Sequence, residues 1–358
     1  MRDILFSTFN KDVTMSKTTI ADDFITGHKG RLGSTSVVSN GDKSLYFLGK
    51  TSEQLRQLII AEQYKQISST FGIEEGKSEE EIKIIKDRFY ELVSGSGNEW
   101  MEINQLNSSA LLAFLCFHQV RPDLGKTFNI KDVGSYSDVI FEVQSPLKGK
   151  GRSRPVSNMD IVLLNGKEAL FLESKFTEYL KPTNTLKVSS YYKGRYCELL
   201  GTKGDSFPLV KQDDIDINFN EDRWISADPI YLEGLKQMVC HYLGISDTLK
   251  KGVTKATHKC WKEIFSNDMK IKLGEIIFDF SQVSSQIKKQ ERGEESNNAL
   301  NNYRKAHKAL CDKLRADNEK PGNPKIEILD EILTYQDVFG VENSWTLTQT
   351  TRNFYELG

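Results

Sequence analysis

The segment SNMDIVLLNGKEALFLESK, residues 157–175, constrains the fold more than any other part of this chain. Two runs of strand-forming apolar residues flank Asn165-Gly166, the strongest short-range signal of a β-hairpin. With Asn165 and Gly166 as a two-residue turn, Leu164 faces Lys167, Val162 faces Ala169 and Asp160 faces Phe171. Glu173 is then the diagonal neighbour of Asp160 on the same face, roughly 7–8 Å away between Cα atoms. Lys175, two residues on, shares that face, while Leu170, Leu172 and Phe176 take the other. On the three letters alone, Asp160, Glu173 and Lys175 read as a surface salt bridge. The run ALFL directly before Glu173 points instead to a half-buried cluster, which needs mutual compensation or a metal.

Two carboxylates at that separation suit Mg²⁺, which takes one or two protein carboxylates, keeps several waters and accepts phosphate oxygens. The ion stabilises a pentacovalent phosphate and lowers the pKa of a bound water. A nearby lysine positions or deprotonates that water, or neutralises the developing charge. The combination suits hydrolysis of a phosphodiester. Glu142, on the preceding strand, adds a carboxylate if it points to the same face.

The order of elements gives this hairpin its surroundings. Residues 1–98 read as a separate N-terminal layer, with a hairpin over 36–49 and helices over Glu53–Ser69 and Glu79–Val93. Ser78 caps the second helix, ahead of three glutamates at the positive end of its dipole. SGSGN, 94–98, marks a boundary, and 99–340 form the main domain before a tail over 341–358. Ser108 or Ser109 caps an apolar helix running to Val120, and a strand follows over Asp138–Val143. The residues 181–227 read as long and irregular. Asp228-Pro229 then opens a helix that ends at Leu243-Gly244. A strand over Glu275–Phe280 precedes an amphipathic helix, Ala299–Arg315, with Leu300, Tyr303, His307, Leu310 and Leu314 on one stripe. A last strand runs from Ile326 to Leu333. The fold class is therefore α/β: a central mixed sheet flanked by helices, with an N-terminal extension.

Net charge is −2 at neutral pH, so a nucleic-acid binder of this composition needs a local basic surface. KGKGRSR, just before Asp160, supplies Lys148, Lys150, Arg152 and Arg154 in a glycine-containing loop. Lys193 and Arg195 lie among Tyr191, Tyr192 and Tyr196, mixing charge with stacking surface. TKATHKCWK, 254–262, is a third basic run and reads as a solvated face. Five scattered cysteines without CxxC spacing point to a reducing cytoplasm. Cys240-His241 and His258-x-Cys260 offer zinc donors in a spacing that fits no common zinc pattern. The start MRDILFSTFN has no apolar stretch of signal-peptide length, and no apolar run is long enough to span a bilayer.

The quoted strands resemble the PD-(D/E)xK nuclease superfamily, whose fold is restriction-endonuclease-like. Asp160 stands at its acidic position and Glu173-Ser174-Lys175 at its (D/E)-x-K, with Met159 in place of a proline that varies across the superfamily. Helix 108–120, Glu142 on the first strand and Gln237 in YLEGLKQMVCHYLG extend the likeness over about residues 103–340. The resemblance implies Mg²⁺-dependent DNA cleavage, with Mn²⁺ as a substitute ion and no small-molecule cofactor. It implies Asp160, Glu173 and Glu142 as metal ligands, with Lys175 and Gln237 as further catalytic residues. Gln237, His241 and Glu233 share one helix face, and Glu178 is read as a salt-bridge partner for a basic loop. The reading is a restriction or defence endonuclease acting on DNA, as a homodimer where both strands are cut. The alternatives are a non-catalytic nucleic-acid-binding protein on the same fold and an RNA-directed nuclease.

Overall fold

Seven consecutive buried residues close the strand Glu168–Lys175, and a strand buried on both faces belongs in the middle of a sheet. The computed structural model places it there. The structure describes residues 52–94, 103, 106, 108–146, 156–187, 206–212, 215–220, 223–251, 264–265, 268–283 and 290–357. The hairpin expected at 36–49, most of the SGSGN boundary, the basic residues Lys148, Lys150, Arg152, Arg154, Lys193 and Arg195, and the 254–262 run lie outside these residues.

In chain order the helices Ser52–Phe71 (α1), Glu79–Val93 (α2) and Ser109–Phe117 (α3) come first, followed by a small hairpin, Phe128–Ile130 (β1) and Gly134–Tyr136 (β2). Next come Asp138–Pro146 (β3), Val156–Leu164 (β4) and Glu168–Lys175 (β5), then four strands, Thr183–Lys187 (β6), Ser206–Gln212 (β7), Ile215–Asn220 (β8) and Arg223–Ile230 (β9). Helix Leu232–Lys251 (α4), strand Lys270–Ile277 (β10) and helix Gln290–Asn318 (α5) precede Ile326–Ile328 (β11), Leu333–Thr334 (β12) and the short helices Tyr335–Val338 (α6) and Gln349–Tyr355 (α7). The central sheet runs β11-β10-β5-β4-β3, with β12 also on β10. Strands β3, β4 and β5 are antiparallel, while β10 is parallel to β5 and to β11. The expected mixed sheet flanked by helices is the architecture found.

Successive residues of a strand point to opposite faces. Ser174 reaches the Ser109 carbonyl of α3 and the Tyr335 hydroxyl of α6, whereas Glu173 meets His241 of α4. The helices α3 and α4 therefore cover opposite faces of β5. Ser78 forms a full capping box with Glu81 at the start of α2, and Ser108 caps α3 through Leu111. Arg88 then ties α2 to the sheet, donating to the His118 and Val120 carbonyls and to Asp138.

Several expectations need correcting. The hairpin turn holds four residues, not two, because Leu164 pairs with Ala169 and Val162 with Phe171. The Asn165 side chain accepts from the amides of Lys167 and Glu168, standing in for a backbone carbonyl, while Gly166 takes the positive φ. Residues 181–227 are not irregular throughout: β6, β7, β8 and β9 make a second, antiparallel sheet in the order β6-β9-β8-β7. Asp228 and Pro229 belong to β9 rather than opening a helix; β9 pairs with β8 only as far as Ser226, so Pro229 breaks no rung of that ladder. Gly244 does not end α4, which continues to Lys251; a Cβ there would come within 2.8 Å of the Ser145 carbonyl, so glycine lets the helix lie close against β3. The expected last strand is two short ones, β11 and β12, and the C-terminal stretch contributes α7, which buries Phe354 and Tyr355.

Candidate active site

The two-residue difference in turn length leaves strand parity unchanged, so the same side chains keep the same face. It also brings the acids closer than expected. The β4–β5 ladder ends at Ile161 opposite Leu172, so the next position sets Asp160 directly against Glu173 rather than diagonally. There the Asp160 carboxylate replaces a backbone acceptor: its Oδ2 takes the Ser174 amide at 2.7 Å.

Glu173 is 2 % exposed and Lys175 4 %. Lys175 Nζ donates to Glu173 Oε1 at 2.5 Å, and His241 Nε2 lies 2.8 Å from Oε2. Burial opposes ionisation of Glu173, but Lys175 and His241 outweigh it and pull its carboxyl below the usual range, down to about 2. Asp160 moves the other way. Burial first and the charge of Glu173 second push its carboxyl well above the usual range, against the pull of Lys175. Burial also opposes the charge on Lys175, yet Glu173 leads the surrounding groups that keep the ammonium protonated. Of these two adjacent acids only Glu173 ionises readily, and Lys175 balances its charge.

Glu142 comes from β3 at the position opposite Asp160. The β3–β4 ladder omits that pair, closing at Phe141–Ile161 on one side and Val143–Met159 on the other. Glu142 adopts a left-handed backbone, φ 54°, and is 1 % exposed. For a non-glycine residue this conformation costs free energy, and it is held in place by the strands around it.

Helix α4 brings Gln237 and His241 one turn apart. Gln237 is half-buried and its Oε1 has no hydrogen-bond partner among the described residues. Glu233, on the same line, pairs with Lys236 of its own helix. Cys240 is buried and in no disulfide, and among the described residues no group of three or more His, Cys, Asp or Glu forms a metal cluster. The described partners of Glu178 are backbone amides, those of Phe176 and Thr177, at 2.6 and 2.8 Å.

Three residues at the site carry more than the pattern in the sequence assigns them. His241 joins Glu173 to Ser157, whose hydroxyl meets His241 Nδ1. Glu275 of β10 is the register partner of Glu173 and fully buried. Tyr303 of α5, one of the apolar-stripe residues, donates its hydroxyl to both Glu275 oxygens at 2.7 and 2.9 Å. The signal for Tyr303 lies in its hydroxyl within a mostly apolar stripe, since a buried tyrosine oxygen needs a partner.

Residues 61–228 match the family model described as restriction endonuclease associating with ARP. The chain is similar to a restriction-endonuclease family over that span, which supports a nuclease-type role. The span includes Glu142, Ser157, Asp160, Glu173 and Lys175, whereas Gln237, His241 and Glu275 follow it. No curated protein and no solved structure was found to match the chain. Among the described residues no helix is long and apolar enough to cross a membrane.

Proposed function

We propose that this chain is a metal-dependent deoxyribonuclease of the PD-(D/E)xK type, serving restriction or defence. The observation that carries the reading is the juxtaposition of Asp160 with the Glu173–Lys175 pair at the end of the β4–β5 ladder. The donor set fits a hard divalent cation. It offers carboxylate oxygen only, and Asp160 Oδ1 has no protein partner among the described residues. Asp160 and Glu173 would hold Mg²⁺ or Mn²⁺, which takes one or two protein carboxylates, with Glu142 on the adjoining strand as a further acid beside them. When bound, the ion supplies Lewis-acid stabilisation of the phosphate and a more acidic water.

The chain's own residues do the rest. A protonated Lys175 neutralises charge developing on the phosphate oxygens, a role that suits its held proton better than general-base work. Gln237 Oε1 accepts from, and so orients, a water at the site. Lys148, Lys150, Arg152, Arg154, Lys193 and Arg195 contact the DNA backbone. Cutting both strands takes two such sites, and a homodimer supplies them.

The test is cleavage of supercoiled and linear DNA by purified protein in Mg²⁺, Mn²⁺ and EDTA, with RNA as competitor. Metal-dependent DNA products that fall at least ~10²-fold in Asp160→Asn and Lys175→Ala support the reading. Intact DNA in both metals, with binding retained, favours a non-catalytic nucleic-acid-binding protein. Preferential cleavage of the RNA competitor favours an RNA-directed enzyme.

A further inference from the structure

Glu173 is gripped at both oxygens. Lys175 takes Oε1, and His241, 4 % exposed on α4, takes Oε2. A carboxylate only accepts, so the contact with Glu173 requires a proton on His241 Nε2. The other ring nitrogen, Nδ1, meets the Ser157 hydroxyl of β4, itself 5 % exposed. A hydroxyl donating to Nδ1 leaves the ring proton on Nε2, so Ser157 selects the tautomer that faces Glu173. The helix is close enough for this because Gly244, one turn beyond His241, lets α4 approach Ser145 of β3. Each carboxylate oxygen has two lone pairs. The Lys175 hydrogen bond at Oε1 and the close His241 contact at Oε2 together restrict the plane of the Glu173 carboxylate and leave lone pairs for a cation.

We propose that Ser157 and His241 are positioning residues that orient Glu173 for a divalent cation. The inference rests on the metal-dependent reading above. It adds two residues from distant parts of the sequence, one of them beyond the restriction-endonuclease match. Partners that orient a metal-binding side chain are worth about 10–100-fold in metal affinity or activity.

The experiment is calorimetric titration of the full chain with Mn²⁺ in the absence of DNA, alongside DNA affinity in EDTA and the melting temperature. The expected result is a loss of about 10–100-fold in Mn²⁺ affinity for His241→Ala. His241→Gln, whose side-chain amide can donate to Glu173 in place of Nε2, recovers most of it. Ser157→Ala shifts affinity in the same direction as His241→Ala, and Ser157→Thr restores it. DNA affinity in EDTA stays within about twofold throughout, because neither residue is placed to touch DNA. Unchanged Mn²⁺ affinity in His241→Ala and Ser157→Ala, whatever their melting temperatures, overturns the proposal while leaving the nuclease reading standing. If His241→Ala does not fold, the Ser157→Ala and Ser157→Thr pair decides alone. Failure of the unaltered protein to bind Mn²⁺ overturns the metal-dependent reading and this inference with it.

Discussion

Glu275 and Glu173 are register partners on adjacent parallel strands, and their surroundings treat their charges in opposite ways. Lys175 and His241 hold the Glu173 carboxylate ionised against the cost of burial. Glu275 has Tyr303 donating to both its oxygens, and burial raises it to about 8 even against the pull of Lys175. Its proton keeps the site from carrying two neighbouring negative charges at neutral pH.

A stability profile follows from that proton. The folded pKa of Glu275 lies above the value of an unfolded glutamate, so the folded state holds the proton more tightly. This contribution is complete below about pH 4, is lost as pH rises towards about 8, and is constant above that. Glu275→Gln, which carries no titrating proton, should therefore melt progressively higher than the unaltered protein between pH 5 and pH 8. The difference should level off beyond, at a few kcal/mol at most. Melting curves taken at half-unit pH steps measure it. A difference that does not change with pH excludes a raised Glu275.

Much of the site was legible in residues 157–175, and the reasons it was not all legible are local. Asn-Gly and the apolar runs are enough to place Asp160, Glu173 and Lys175 on one hairpin. The turn length was hidden because the Asn165 side chain caps two amides, which adds two residues without changing the face. Strand β6, TNTLK, is mostly exposed and carries no strand pattern, whereas IDINFN in β8 does show the period-two alternation of a strand, which the reading of 181–227 as irregular passes over. Gly244 read as a helix stop because a contact with β3, about a hundred residues away in sequence, is invisible to local rules. His241 was visible only as a neighbour of Gln237, since its partners Ser157 and Glu173 lie far upstream.

The backbone of Glu142 offers a separation of function from stability. A glycine adopts φ 54° without the steric cost that glutamate bears, worth ~1–2 kcal/mol. Glu142→Gly also removes a carboxylate that is costly to bury. The variant should melt no lower than the unaltered protein while DNA cleavage falls at least ~10²-fold. Glu142→Gln, which keeps the strain and loses the charge, should lose cleavage equally. A Glu142→Gly protein that cleaves normally removes Glu142 from the site.

Gly234 makes room for Tyr303. A Cβ at this helical position would fall 2.2 Å from the Tyr303 hydroxyl and 2.5 Å from a Tyr231 ring carbon. Alanine is the better helix former, worth up to ~1 kcal/mol. Here the overlap outweighs that gain, and we expect Gly234→Ala to destabilise by ~1–3 kcal/mol. Tyr303→Phe removes the nearer of the clashing atoms but not Tyr231, so the double variant should be less destabilised than the sum of the singles. A thermodynamic cycle with additive effects would place the hydroxyl away from Gly234.

Arg88 is where the N-terminal helices are joined to the site-bearing sheet, and its fork explains why arginine stands there. One guanidinium nitrogen serves the His118 and Val120 carbonyls at the end of α3, and the other serves Asp138 at the start of β3. The Arg88 side chain is 11 % exposed, so these bonds are poorly replaced by water. Arg88→Ala leaves two carbonyls and a half-exposed carboxylate without this donor, at a cost of ~2–4 kcal/mol. Arg88→Lys keeps the charge but presents it at a single point, and should recover less than half of that loss. Denaturant unfolding of the three proteins separates the cases. Equal midpoints for arginine and lysine would show that charge alone, and not the fork, holds α2 against the sheet.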